Sequence, residues 1–249
     1  MHNYTNEIYV GGNMAQEIRL NKYISESGLC SRRQADKLIE EGKITVDGVV
    51  ADLGTKVDGS QAVKYQGKLI RPVNKTVIYA YNKPIGQVCT SAEADKDSIF
   101  NYVKFPVRVN YVGRLDKDSS GLLLLTNDGE LSNHIQKARY DHEKEYRVRV
   151  NRDITDEFIE KMSDGVPILD TVTKKCTVKK TGARTFSIVL TQGLNRQIRR
   201  MCEYFGYRVV NLKRVRMLNV RIEGIRPGEY RELSREEESK LRRLVREGE

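Results

Sequence analysis

The chain has few cysteines and few histidines. Cys30, Cys89, Cys176 and Cys202 are scattered over 249 residues without a CxxC pair, and the three histidines form no ligand cluster with them. Such spacing supports neither a zinc site nor a disulfide framework. Cys202 follows an arginine-rich segment, yet a buried structural thiol is the expected role in a reducing compartment. Also missing is any apolar run approaching the length of a membrane span, and the polar start MHNYTNEIYVGGN lacks the apolar core of a secretory signal. The expectation is a soluble, cytoplasmic protein without membrane contact.

What is abundant is positive charge. Lys and Arg number 44 against 34 Asp and Glu, a net charge of +10, which makes a polyanion the natural partner, with nucleic acid first among them. The length allows one or two domains and a core that buries about 70% of the unfolded surface. No protein partner is implied by these features.

The most informative stretch is YVGRLDKDSSGLLLLTNDG, residues 111–129. Gly113 permits a turn at its start, and Asn127, Asp128 and Gly129 read as a second turn at its end. Leu122 to Leu125 form a continuous apolar run of strand length that favours neither face, so both faces should be covered. Asp116 stands just before that run, between Arg114 and Lys117. A carboxylate at the lip of a core is costly unless a cation pairs with it or a substrate uses it; the alternative is an ordinary turn residue.

In chain order, residues 1–16 read as a loosely held extension. Leu20, Tyr23 and Ile24 share one helical face, with Gly28 ending that helix. Ser31 with Gln34 has capping-box spacing for a second helix carrying Ala35, Leu38 and Ile39. Arg32, Arg33 and Lys37 then point outward together. Asp47-Gly48 signals a hairpin between short strands at Ile44 to Val46 and Val49 to Ala51. Residues 65–75 read as a tether, and Val77 to Tyr81 as a strand running into NKPIG, where Lys83 is a phosphate-contact candidate. A helix from Glu130 to Ala138 and a strand from Glu143 to Val150 follow. Thr155 caps a helix bearing Phe158, Ile159 and Met162. Ile198, Met201, Cys202 and Phe205 make the stripe of a helix opened by Arg196, Arg199 and Arg200. Strands near Met217 to Ile222 and Tyr230 to Leu233 precede a Ser234-capped charged helix.

Residues 17–64, with the SRR-initiated helix and the VDG hairpin, resemble the small RNA-binding domain named for ribosomal protein S4. GRLD, DxxSxG and LLLLTNDG resemble the active-site motif of RNA pseudouridine synthases, and Met201, where one branch of that family carries His, places the likeness with the RsuA group. DHEKEY, GVPIL, TVTKKC and NRQIRRMCE narrow it to members that act on large-subunit ribosomal RNA. The resemblance covers nearly all of residues 17–233. It implies an α+β architecture: an S4-like domain at 17–64, a linker at 65–75, and a catalytic domain at 76–249 on a bent mixed, largely antiparallel sheet.

The same resemblance implies isomerisation of uridine to pseudouridine, without cofactor or metal, in a structured stem-loop of large-subunit rRNA. Small-subunit rRNA or tRNA are alternative or additional substrates. Asp116 is the implied nucleophile, Arg199 its charge partner, Tyr146 of KEY the ring that stacks on the uracil, and Leu212 the apolar contact to the base. Arg114, Lys83, Arg196 and Arg200 are candidate substrate contacts. The competing class is a non-catalytic RNA-binding assembly factor.

Arg32, Arg33 and Lys37 either bind RNA or form a solvated face. Two arginines at a helix N-terminus are disfavoured by the helix dipole, and an external anion relieves that conflict. Deleting residues 1–64 is therefore expected to make the slope of log affinity for RNA against log salt shallower by roughly 2 to 3, about one unit for each phosphate no longer neutralised. An unchanged slope in filter binding from low to high salt identifies a solvated face instead.

Overall fold

A computed structural model describes residues 17–73, 75–91, 95–137 and 140–247. The expected extension over 1–16 lies outside them, as does Ala138, the expected end of a helix. The chain divides into two compact units at Lys75/Thr76.

In the first unit, β1 (Ile18–Arg19) leads into α1 (Leu20–Glu26), which buries Leu20, Tyr23 and Ile24. The Ser31 side chain accepts from the Gln34 amide, the Gln34 side chain accepts from the Ser31 amide, and this capping box starts α2 (Arg32–Glu40). Next come β2 (Ile44–Val46) and β3 (Val49–Val50), joined by Asp47 and Gly48 at φ 50° and 88°. Two left-handed residues in a two-residue loop match the right-handed twist of the flanking strands. Then β4 (Lys56–Val57) pairs with β1, while β5 (Val63–Tyr65) and β6 (Lys68–Leu69) complete a sheet of order β3-β2-β5-β6. Leu20, Ile24, Ala35, Ile39, Ile44, Val57 and Val63 form its core. Arg32, Arg33 and Lys37 are all exposed on α2.

The second unit runs β7 (Ile78–Lys83), α3 (Ile99–Tyr102), β8 (Asn110–Val112), β9 (Ser120–Thr126), α4 (Gly129–Gln136), β10 (Lys144–Val150) and α5 (Asp156–Ser163). It continues with β11 (Pro167–Ile168), β12 (Thr171–Val172), β13 (Thr177–Gly182), β14 (Thr185–Leu190), α6 (Gln197–Tyr204), β15 (Val209–Met217), β16 (Val220–Arg221), β17 (Tyr230–Glu232) and α7 (Arg235–Glu247). Nine strands form one mixed, largely antiparallel sheet of order β13-β14-β10-β15-β9-β7-β17, with β8 on β9 and β16 on β15. Only β9 and β15 pair in parallel among these strands.

The apolar run of β9 is covered on both faces. Leu122 and Leu124 enter a core with α4, α7 and β15, whereas Leu123 and Leu125 enter one with Tyr79, Tyr81 and Ile99. A third core, with Phe158, Phe186, Met201 and Cys202, lies between α5, α6 and the β10-β14 side of the sheet. Each fully buried leucine contributes about 1.5–3 kcal/mol, which makes β9 the best-anchored strand of the unit.

The expected tether over residues 65–75 instead contains β6, paired with β5 in the sheet of the first unit, and two further elements differ from the sequence-based expectation. The strand β15 begins at Val209, eight residues before the expected start, and turns at Leu218, φ 51°. Its pairing with β10 jumps from Arg214–Tyr146 to Arg216–Glu145, leaving Val215 as an extra residue. That bulge breaks the two-residue alternation by which a strand is recognised. The short helix α3, capped by Ser98, has no periodic signature at four residues.

The parallel pairing of β9 and β15 needs a glycine. Gly121 has φ +108°, and an added Cβ there would sit 2.1 Å from the backbone oxygen of Arg214. Gly121→Ala is expected to destabilise the second unit by about 3 kcal/mol or more, at the upper end for overpacking, because backbone and not a flexible side chain stands in the way. Urea unfolding followed by circular dichroism measures it; a loss under about 1 kcal/mol means that the pairing gives way easily.

Candidate active site

The loop between β8 and β9 carries Asp116 and Asp118, and its shape follows from what anchors it. Below it lies Lys83, wholly buried at the end of β7, donating to the carbonyls of Ser119 at 2.8 Å and Pro84 at 3.0 Å. The Gly86 amide of the NKPIG turn donates to Lys117 O at 2.8 Å, so this turn and the acidic loop are locked together. Burial pushes the Lys83 ammonium below its usual range, while the nearby charges of Cys89, Asp116 and Asp118 act in the opposite direction. Lys83 was a candidate phosphate contact on the sequence. The structure corrects this: a side chain with no exposed surface cannot reach RNA, and its donors are engaged by backbone.

Arg199 is also placed differently. Its Nη2 donates to Asp118 O at 2.9 Å and to Ser119 Oγ at 3.3 Å, and lies 3.3 Å from the Asp118 carboxylate. The cation beside Asp116 is Arg196, Nη1 to Oδ2 at 3.7 Å, while its two terminal nitrogens also grip Asp118 at 3.3 and 3.0 Å. Helix direction explains the exchange. Arg196 caps α6 and leans over the loop from the open side, whereas Arg199, one turn later, is 8% exposed and lies behind it. Arg196 adopts φ 51°, a left-handed conformation that costs a non-glycine residue of order 1–3 kcal/mol and is retained where the surroundings hold it. Arg200 turns back to Asn195 O and Oδ1 at 3.1 and 3.2 Å, holding the loop that precedes α6.

The open side of the loop faces a cavity of about 420 Å³. Asp116, Tyr146, Leu212, Arg114 and Arg196 line it together, with Asp116 half-buried and Leu212 nearly covered on β15. The cavity thus combines a carboxylate, an aromatic ring, an aliphatic contact and exposed cations. This set suits a planar base attached to a phosphate backbone. Arg32, Arg33 and Lys37 belong to the first unit.

Three lining or bracing residues were not singled out in the sequence. Asp118 is the acceptor for both Arg196 and Arg199. Arg214, 2% exposed, donates from Nε to Leu122 O at 2.7 Å, and among the described residues its Nη2 has no partner. Lys144 lines the cavity, and burial, then the charge of Arg214, push its ammonium down to about 8. Lys144 stands two residues before Tyr146 and Arg214 two after Leu212, so strand alternation would have found both. Among the described residues no group of three or more His, Cys, Asp or Glu side chains is placed to hold a metal.

Burial pushes the Asp118 carboxyl up, but the bond from Arg196 and the charges of Arg199 and Arg196 outweigh it and hold it below the usual value. A depressed folded-state pKa contributes stability that is complete above the unfolded pKa and fades as pH falls through the folded one. Asp118 is half-exposed, so solvent screens the pair. Asp118→Asn is expected to cost only about 0.5–1 kcal/mol at pH 7, with wild type and variant converging in acid. Urea unfolding at a series of pH values checks this; a difference independent of pH removes charge pairing as the cause.

Comparison with known proteins gives the family. Residues 77–204 match the RNA pseudouridylate synthase family and residues 18–63 the S4 domain. The chain is 53% identical to the dual-specificity RNA pseudouridine synthase RluF of Escherichia coli (strain K12), over 92% of this chain and 79% of that protein. The RluF of Salmonella typhi is equally identical, over 91% and 79%. Ribosomal large subunit pseudouridine synthase B of Bacillus subtilis (strain 168) is 36% identical over 92% of this chain and 98% of that protein. A crystal structure of a pseudouridylate synthase superposes with a TM-score of 0.67 at 26% identity, covering 90% of this chain and 99% of that one. A family match over more than half of the chain and this level of identity to curated relatives make the chain a member of the RNA pseudouridine synthases, of the RluF type and with an S4 domain.

Proposed function

We propose that the protein converts a specific uridine of large-subunit ribosomal RNA to pseudouridine, with Asp116 as nucleophile on a uridine flipped into the cavity. The observation that carries this reading is the half-buried Asp116 carboxylate opening onto the space that Tyr146 and Leu212 also line. The reaction detaches the base at N1, turns it and rejoins it through C5. It needs a nucleophile, a stacking surface and a dry pocket, but no oxidant and no energy source. Tyr146 stacks on the extruded uracil, as aromatic side chains hold unstacked bases, and Leu212 closes the pocket.

In this reading Arg196 faces the ribose-phosphate backbone and lies nearest to the nucleophile, and Arg114 adds a second cation at the mouth. Arg199 braces the loop through Asp118 and Ser119 instead of charging Asp116 directly. The first unit binds RNA through Arg32, Arg33 and Lys37. The large-subunit assignment draws on the ribosomal large subunit named for the Bacillus subtilis relative. Since the RluF relatives are named as dual-specificity enzymes, a second substrate class, tRNA, belongs in the same assay. A cytoplasmic location follows from RNA substrates of this kind, and no helix among the described residues is long and apolar enough to cross a membrane.

Asp116→Asn keeps the side chain's shape but removes the nucleophilic carboxylate. It is expected to bind unmodified large-subunit rRNA as the wild type does and to form no pseudouridine, read by a pseudouridine-specific chemical stop. Turnover by this variant removes Asp116 from the role. Turnover by the wild type on tRNA or small-subunit rRNA alone replaces the substrate assignment.

A further inference from the structure

Isomerisation leaves a proton to be removed. After the base rejoins through C5, that carbon bears both the ribosyl group and its original hydrogen. The C5–H bond must break, its electron pair forming C5=C6, while the N1=C6 pair returns to N1, which takes up a proton. Atoms and electrons balance without any co-reactant except a group that accepts the C5 proton. An Asp116 held on the sugar is released as C5 bonds to C1′ and is then the rival acceptor, while the arginines of the cavity stay protonated.

We propose that Lys144 is the base that takes the proton from C5 of the rejoined uracil. The geometry places it there. Lys144 and Tyr146 project from the same face of β10, about 7 Å apart along the strand, and both line the cavity with Asp116. With the uracil stacked on Tyr146, a four-carbon side chain one step along the strand reaches the edge of the ring. The residues directly opposite it in the sheet are uncharged, Leu190 on β14 and Met217 on β15. Nζ donates to His142 O at 3.4 Å, and among the described residues no carboxylate forms an ion pair with it. Glu145, the next residue, is engaged at 2.9 Å by Arg216.

The charged groups that share the cavity explain why the amine can be neutral. Arg214 from β15 is the nearest influence and disfavours the ammonium, with burial as the larger cause. Arg196 from the start of α6 and Arg114 from the loop before β9 add positive charge to the same space, and Asp116 is the carboxylate that faces it. A lysine brought down to about 8 is about one-tenth neutral at pH 7 and half neutral at pH 8, within the range a general base can use. The rate of the proton-removal step should rise with pH through that value and then level off, because only the neutral amine accepts a proton.

The inference rests on reading this cavity as the catalytic site. The test uses the full chain and an unmodified large-subunit rRNA transcript made with ordinary or [5-²H]uridine, under single turnover from pH 6 to 9.5. Lys144→Met and Lys144→Arg are both expected to lose about 10²- to 10⁴-fold in rate, the range for a general base. Both should show a larger deuterium isotope effect than the wild type, and free primary amines should partly restore Lys144→Ala. Arginine keeps the charge and length but accepts no proton, so near-wild-type turnover by Lys144→Arg overturns the proposal. A slow Lys144→Met with no isotope effect, together with a Lys144→Ala that amines do not rescue, also overturns it, assigning Lys144 to pocket shape. If the variants do not fold, the wild type decides: an isotope-sensitive rate that is flat through pH 8 overturns the proposal and one that rises supports it. Asp116→Asn is measured alongside; its activity would sink the nucleophile reading while the isotope effects still test Lys144.

Discussion

The catalytic unit depends on one close approach, the parallel contact of β9 with β15. Ser120 lies opposite Lys213 and Gly121 opposite Arg214, residues more than ninety positions apart in the chain. Closing so long a loop carries an entropic cost that local contacts cannot offset. The offset comes from the fully buried leucines of β9 and from the Arg214 Nε bond to Leu122 O. Gly121 permits the approach, since any side chain there would meet Arg214 backbone. Without this pairing the acidic loop and the strand bearing Leu212 would not face one cavity.

Charge is distributed around that loop in layers. Lys83 lies buried beneath it and donates to backbone; Arg199 lies behind it and grips Asp118; Arg196 leans over its open side between Asp116 and Asp118. The two carboxylates consequently have different surroundings. Asp118 is occupied by two arginines, whereas Asp116 has one cation at 3.7 Å and an open face toward the cavity. Asp116 is thereby left free toward the cavity, and its neighbour takes the hydrogen bonds that hold the loop still. The left-handed backbone at Arg196 is the local cost of presenting one guanidinium to both.

The bulge at Val215 serves the opposite wall. It shifts β15 against β10 between Glu145 and Tyr146, so that Arg214 stands across from Tyr146 and Arg216 pairs with Glu145. Positive charge is thereby kept inside the cavity wall, near Lys144, while the carboxylate of Glu145 is drawn to Arg216. Bulges recur beside active sites because they re-aim side chains without ending the strand.

Contiguous residues determined much of this protein. Ser31 with Gln34, Asp47-Gly48, Thr155, Ser234 with Glu237, and the four leucines of β9 each specify an element through contacts within a few residues. Strands and helices at those places were legible for that reason. The motif around Asp116 and the S4-like unit were legible as ordered strings. Only the tertiary structure decided which arginine meets which carboxylate and that Lys83 is sealed beneath the site. Those outcomes depend on pairings between residues tens of positions apart. A distant partner leaves no periodic trace in the local sequence.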